Sequence, residues 1–176
     1  MKNSSNSADF KKELTALLPR LARYARVLTP SQHDADDLLQ KSCERALSRW
    51  QQLDSTKNMD RWVFTIMNSV WKNEIRSIAI RQGQGFVSTD ELDSPKTSPD
   101  GNIYLRQVLE RVMALPENQR EIVLLVYVEG FSYAKAAEIA NIPIGTVMSR
   151  LSRAREALCQ WAGESAKPSS SKGGLS

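Results

Sequence analysis

Apolar positions recur at helical spacing in two stretches of the chain, and a polar stretch separates them. Phe10, Leu14, Leu17, Leu18, Leu21, Ala25 and Leu28 form the first stripe, which predicts an amphipathic helix over 10–28. Thr29-Pro30 ends it, because a proline drives the preceding residue out of helical angles. Ser31 is placed to cap a second helix, with Asp34 three residues on as a weaker form of the capping box. Leu38, Leu39, Ala46, Leu47 and Trp50 give its stripe. Val63, Ile66, Met67, Val70, Trp71, Ile75 and Ile78 predict a third helix over about 60–80.

Periodicity then stops. Gln82–Asn102 is rich in Gly, Ser, Pro and Asp, and Asp90, Glu91, Asp93 and Asp100 outnumber Lys96. It reads as a flexible acidic tether, about 25 Å across on root-mean-square average, that lets the flanking blocks move independently. Leu105, Val108, Leu109 and Val112 begin the second block, closed by Leu115-Pro116. Ile122–Val128 is seven apolar residues in a row, a pattern open to strand or helix. Helix is favoured: Pro116 suits a first turn, Glu117 and Glu121 suit the positive end, and Gly130 suits the stop. No second strand-like run offers itself as a partner, and a helix apolar all round predicts the buried centre of a small bundle.

The densest pattern is 132–158. Ser132 is an N-cap candidate before Tyr133-Ala134-Lys135-Ala136-Ala137-Glu138-Ile139-Ala140, and Asn141-Ile142-Pro143 breaks that helix. Another starts near Ile144-Gly145-Thr146 and runs through Leu158. The alanines permit the close helix crossing that a helix-turn-helix requires. In the second helix Val147, Leu151, Ala154 and Leu158 face inward, while Thr146, Ser149, Arg150 and Arg153 project outward. Short hydroxyls and guanidinium groups there suit phosphates and base edges. The predicted fold is therefore all-α: two small helical domains joined by a flexible linker, the second ending in a helix-turn-helix. The boundaries are 8–81, a linker over 82–102, 103–162, and a disordered polar tail over 163–176.

Composition narrows the function. The chain has 176 residues, a net charge of +4 and a pI near 9.2, a mild basic excess that permits nucleic-acid binding without establishing it. No apolar run is long enough to span a bilayer, and the N-terminus has no apolar signal core. Cys43 and Cys159 fit neither a disulfide framework nor a zinc spacing and read as reduced thiols. His33, Asp34, Asp36 and Asp37 lack the spacing of a calcium loop and a second ligand cluster, so no metal is expected; they read as a helix-start charge cluster or a protein-contact face. The single His has no identifiable nucleophile beside it and no phosphate-cradling glycine loop exists. No catalytic residue, metal or cofactor is expected. Trp62 and Trp71 near Lys72 and Arg76 read either as core aromatics with solvated cations or as a surface for single-stranded DNA.

Two motif groups resemble the extracytoplasmic-function (ECF) type of RNA polymerase sigma factors. Leu115–Glu121, Phe131–Ala140 and Pro143–Arg155 resemble that family's C-terminal domain. The resemblance implies that this domain reads the promoter −35 element, through Thr146, Met148, Ser149, Arg150, Ser152 and Arg153, and docks on the polymerase β flap. Asp34–Gln40 with Arg45-Ala46-Leu47 resembles the segment that grips the β′ coiled coil, which assigns core polymerase binding to Asp34, Asp37, Leu38, Gln40, Lys41 and Glu44. Arg61–Met67 with Lys72–Arg76 resembles the segment that opens and reads the −10 element, through Asn68, Ser69, Lys72, Asn73 and Arg76. The chain departs from the family pattern in three places: Lys41 stands in place of an acid, Asn68-Ser69 in place of a basic residue and Asn, and Met148 in place of Arg or Lys. The implied function is that of a sigma factor that binds core RNA polymerase and directs promoter recognition and transcription initiation in the cytoplasm. Its implied partners are core polymerase, promoter DNA and an anti-sigma factor. Two rivals remain: a sigma-like mimic that sequesters an anti-sigma factor, and an autonomous helix-turn-helix repressor. The cations at Lys72, Arg76, Arg150 and Arg153 argue against the first, and the polymerase-binding segment argues against the second.

Overall fold

The computed structural model describes residues 2–53, 58–81 and 103–165, and every regular element among them is helical. The N-terminal half holds α1 (Lys2–Leu28), α2 (Gln32–Arg49) with a 3-10 turn at its end, and α3 (Met59–Arg81). The C-terminal half holds α4 (Ile103–Met113), α5 (Glu117–Val123), α6 (Tyr133–Ala140) and α7 (Ile144–Ser165). The predicted linker over 82–102 lies outside the described residues, as does the tail from 166.

Local chemistry sets the helix ends. The Ser31 hydroxyl accepts a hydrogen bond from the Asp34 N–H, as a side-chain N-cap should. Ser132 does the same for Lys135 N–H. Asn141 ends α6 in the left-handed region at φ 53°. Its N–H reaches Glu138 O, and Ile142 N–H reaches Ala137 O at 3.0 Å, the paired bonds of a Schellman stop. Pro116 lies one step outside α5 rather than in its first turn, and its carbonyl accepts the N–H groups of Gln119 and Arg120. The buried Arg120 donates to Met113 O at 2.8 Å, which ties α5 to the end of α4.

Several expectations need correction. α1 begins at Lys2, ahead of the predicted start, and carries Pro19 inside it. The Ile122–Val128 run is helical but not buried all round. The α-helix ends at Val123, and Leu124–Val128 forms a π turn in which Glu129 N–H bonds Leu124 O. The wider turn rotates the end of the run outward, so Tyr127 is 54% exposed and Val128 46% exposed. Leu47, Ile78 and Leu109, all counted in inward stripes, are exposed as well. α7 continues to Ser165, three residues into the predicted tail.

The largest difference concerns the relation of the two halves, which are docked on each other. α6 packs along α3, and α5 lies near α1. Phe64 of α3 meets Tyr24 and Phe131 edge-on, both at 5.2 Å between ring centres. The Arg20 guanidinium lies over both phenylalanine rings, 5.4 and 5.7 Å from their centres. The buried side chains of the two halves thus form one continuous apolar cluster.

Candidate nucleic-acid interface

α6 and α7 form the predicted helix-turn-helix. Val147, Leu151 and Ala154 are fully buried against α5 and α6, which fixes the rotation of α7 about its axis. The opposite face carries Met148, Ser149, Ser152 and Arg153, all exposed, with Thr146 half-buried at its edge. Ser149 hydroxyl bonds back to Thr146 O at 3.1 Å. Arg150 leans inward instead: its Nη1 lies 3.9 Å from a Glu121 carboxylate oxygen. Ile144, 46% exposed, stands one turn before Met148, 49% exposed, and the pair makes an apolar spot at the start of the helix. Sequence reasoning passed over Ile144, although the four-residue spacing to Met148 was there to see.

The −10 set on α3 divides into two faces. Ser69, Asn73 and Arg76 are exposed. Asn68 is 2% exposed and donates its side-chain N–H to Ile139 O of α6 at 2.9 Å. Lys72 donates to Ala140 O at 2.6 Å and pairs with Glu121 Oε1 at 3.2 Å. That carboxylate oxygen receives charge contact but no well-directed hydrogen bond, and the Asn68 carbonyl oxygen is also unpaired. Trp71, buried, donates its indole N–H to Glu117 at 3.0 Å, and Trp62 is half-buried against Phe10. Both tryptophans therefore serve packing in this arrangement.

Acidic groups of the C-terminal half hold the joint at every level. The Glu129 side chain, almost wholly buried, accepts from Arg20 at 2.8 Å and from Arg23 at 3.0 Å. Arg61 pairs with Glu138. Burial pushes the Glu117 carboxyl above its ordinary value, against the lowering effect of the Trp71 N–H. Burial raises the Tyr24 phenol well above its usual range, and Glu121, Glu129 and Glu117 add to the shift. Sequence reasoning took Glu121 as a helix-start charge and assigned no role to Glu129, Arg20 or Arg23. These pairs join residues far apart in the chain, so local patterns carry no signal for them.

On α2, Asp34, Gln40, Lys41 and Glu44 are exposed and Asp37 is half-buried, a polar face continuous along the helix. Lys41 pairs with Asp37 at 2.5 Å and Glu74 at 2.6 Å, and those two hydrogen bonds push its ammonium above the ordinary lysine value. Gln40 donates to Glu44 at 2.9 Å. Leu38 corrects the predicted set: at 0% exposure it is core, pointing away from the face that Asp34 and Gln40 present. No group of His, Cys, Asp and Glu suited to a metal ion occurs among the described residues. Among the same residues, no helix is long and apolar enough to cross a membrane.

Two bundles of helices, the second closed by a helix-turn-helix with an exposed hydroxyl and arginine face, define a nucleic-acid-binding class of protein. Comparison with known proteins sharpens the class. Residues 105–158 match the family model "Sigma-70, region 4", and residues 14–68 match the model "Sigma2 domain of PhyR". ECF RNA polymerase sigma factor EcfG of Rhodopseudomonas palustris is 29% identical over 83% of this chain and 81% of its own length. ECF RNA polymerase sigma factor SigC of Mycobacterium tuberculosis is 32% identical over 70% of this chain and 68% of its own. The sigma factor RpoE of Bartonella quintana, solved in complex with the anti-sigma factor NepR, superposes with a TM-score of 0.74. It is 30% identical over 88% of this chain and 97% of its own. The chain belongs to the ECF family of RNA polymerase sigma factors.

Proposed function

We propose that this sigma factor directs core RNA polymerase to promoters by contacts divided among three helices. The outer face of α7 reads the −35 element through Thr146, Met148, Ser149, Arg150, Ser152 and Arg153. The α3 residues Asn68, Ser69, Lys72, Asn73 and Arg76 engage the −10 element. The α2 face of Asp34, Asp37, Gln40, Lys41 and Glu44 binds the β′ coiled coil, with Leu38 supporting it from beneath, and the C-terminal domain meets the β flap. The work takes place in the cytoplasm, where polymerase is, and an anti-sigma factor is the expected regulator. The reading assigns no catalytic step and no cofactor to the chain.

One observation carries it. The helix-turn-helix presents Met148, Ser149 and Arg153 outward while its apolar residues are buried, in a chain related along most of its length to sigma factors. A sequestering mimic, the rival raised by the PhyR-like match over 14–68, needs no such face, and the long relatives with the family's function favour the sigma factor. Run-off transcription with core polymerase over a genomic promoter library tests the proposal. Specific transcripts should require this chain. Their absence, with the chain bound to polymerase, would overturn promoter reading.

A further inference from the structure

We infer that Ile144 and Met148 form a methyl-reading patch: within the −35 element the chain selects the 5-methyl group of a pyrimidine, so that thymine is preferred at that place and 5-methylcytosine substitutes for it. The inference rests on the assignment of the outer face of α7 to the −35 duplex. Both side chains are large, apolar and about half exposed, one turn apart at the start of the helix. Burial of Val147, Leu151 and Ala154 fixes the rotation of α7, so neither turns inward. Residues in the first turns of a recognition helix are those that meet base edges.

The patch has one counterpart in the major groove. Base edges there present hydrogen-bond donors and acceptors, and the thymine methyl is the one projecting apolar group. Isoleucine has no polar side-chain atom, and the methionine thioether has no hydrogen to donate. Against guanine the two would cover O6 and N7 without satisfying either, which costs free energy. Two neighbours that could supply a donor are otherwise engaged. The Ser149 hydroxyl donates to Thr146 O, and Arg150 is turned toward Glu121 within the same half. A methyl group meets no such penalty. Ile144 is stiff about its first torsion and forms a fixed wall, while the unbranched Met148 adapts to what lies against it. Cβ atoms one turn apart stand about 5–6 Å from each other, against ~3.4 Å between successive base pairs, so the patch spans no more than two neighbouring pairs. What is read is the methyl group rather than the base, and cytosine gains the same feature when it is methylated at C5.

The test uses the holoenzyme, core polymerase with the full chain, on a promoter taken from the run-off experiment. Each thymine of the −35 duplex is replaced in turn by uracil, which removes only the methyl group. Binding should weaken about 4-fold, the worth of one buried methyl, at one position or two adjacent ones and nowhere else in the element. At the responsive position cytosine should bind weakly, and 5-methylcytosine should recover the loss that uracil caused. These arms need no variant of the protein. Ile144→Ala combined with Met148→Ala should then abolish both methyl effects. Alanine suits an exposed helical site better than isoleucine, so the variant should fold, and circular dichroism checks that it does. Arg153→Ala, at an exposed cation of the same face, is the independent control and should weaken duplex binding whatever the pyrimidine. A methyl effect that survives the double substitution overturns the inference. So does an element in which no thymine responds while Arg153→Ala still weakens binding. Loss of core polymerase affinity in the double variant would assign the patch to polymerase and overturn it as well. If Arg153→Ala has no effect either, α7 is no DNA surface, and the proposed −35 contacts fall along with the inference.

Discussion

α3 and α7 carry the two proposed DNA-reading surfaces, and they are built in opposite ways. On α7 the buried stripe Val147, Leu151 and Ala154 lies on one side and Met148, Ser149, Ser152 and Arg153 on the other, with Arg150 turned back toward Glu121 of the same half. On α3 the reading residues straddle the boundary: Ser69, Asn73 and Arg76 are exposed, whereas Asn68 and Lys72 are held by backbone carbonyls of α6. A surface set by packing within one half is ready at all times. A surface shared with the other half is available only after the halves part. The helix-turn-helix is the first kind and the −10 face is the second.

Substitutions can separate the two kinds. The largest effect is expected at Phe64, where the halves share a core. Phe64→Ala should cost about 3–5 kcal/mol of stability, and its denaturant midpoint should fall accordingly. A smaller loss would mean that the rings of Tyr24 and Phe131 close the gap. Next is Arg150→Ala, which should weaken −35 duplex binding by about 1–3 kcal/mol if Arg150 reads a base. A uniform loss across sequences, with a salt slope smaller by about one unit, would mark a phosphate contact instead. Asp37→Arg should weaken core polymerase binding by about 1–3 kcal/mol if that contact is buried in the complex. Unchanged affinity in a titration, with helicity intact, removes Asp37 from the interface. Met148→Ala should cost roughly 1 kcal/mol if its methyl group meets a thymine methyl. Replacing thymine by uracil in the −35 duplex should then weaken the parent protein and leave the variant unaffected.

The smallest effect depends on pH. Burial raises the Glu117 pKa in the folded chain, so its favourable contribution is full below the ordinary carboxyl value and is lost as pH rises through the raised one. Glu117→Gln should therefore raise the melting temperature at neutral pH, with the gain vanishing below about pH 4. A gain that persists in acid would trace to packing rather than to charge.

Short-range features were legible in the sequence. The caps at Ser31 and Ser132, the stop at Asn141 and the inward stripe of α7 each depend on residues within a turn or two of one another. That is the range over which periodicity and capping rules operate. The fold class followed from them, and so did the outward face of α7 apart from Arg150, which turns back to Glu121. The docking did not, because it rests on pairs such as Asn68 with Ile139 and Arg20 with Glu129, separated by 71 and 109 positions. Leu38 was misplaced for a related reason. Its neighbours Asp37 and Gln40 point to the surface, and a motif quoted as a continuous string does not say which of its members turns inward.

The π turn after α5 has a consequence for how this family's chains can vary in length. Each residue of a regular helix advances the direction of its side chain by about 100°. The wide turn at Leu124–Val128 absorbs a residue without carrying that advance in full, and so decides which way Glu129 points. Deleting a single residue there would return the segment to regular winding. The residue lost would be the one that the wide turn had absorbed, so the Glu129 carboxylate would keep nearly its present direction toward Arg20 and Arg23. A one-residue gap at this place in an alignment would thus leave the Arg20–Glu129 joint intact, whereas the same gap within the regular winding of α5 would turn Glu129 away from it.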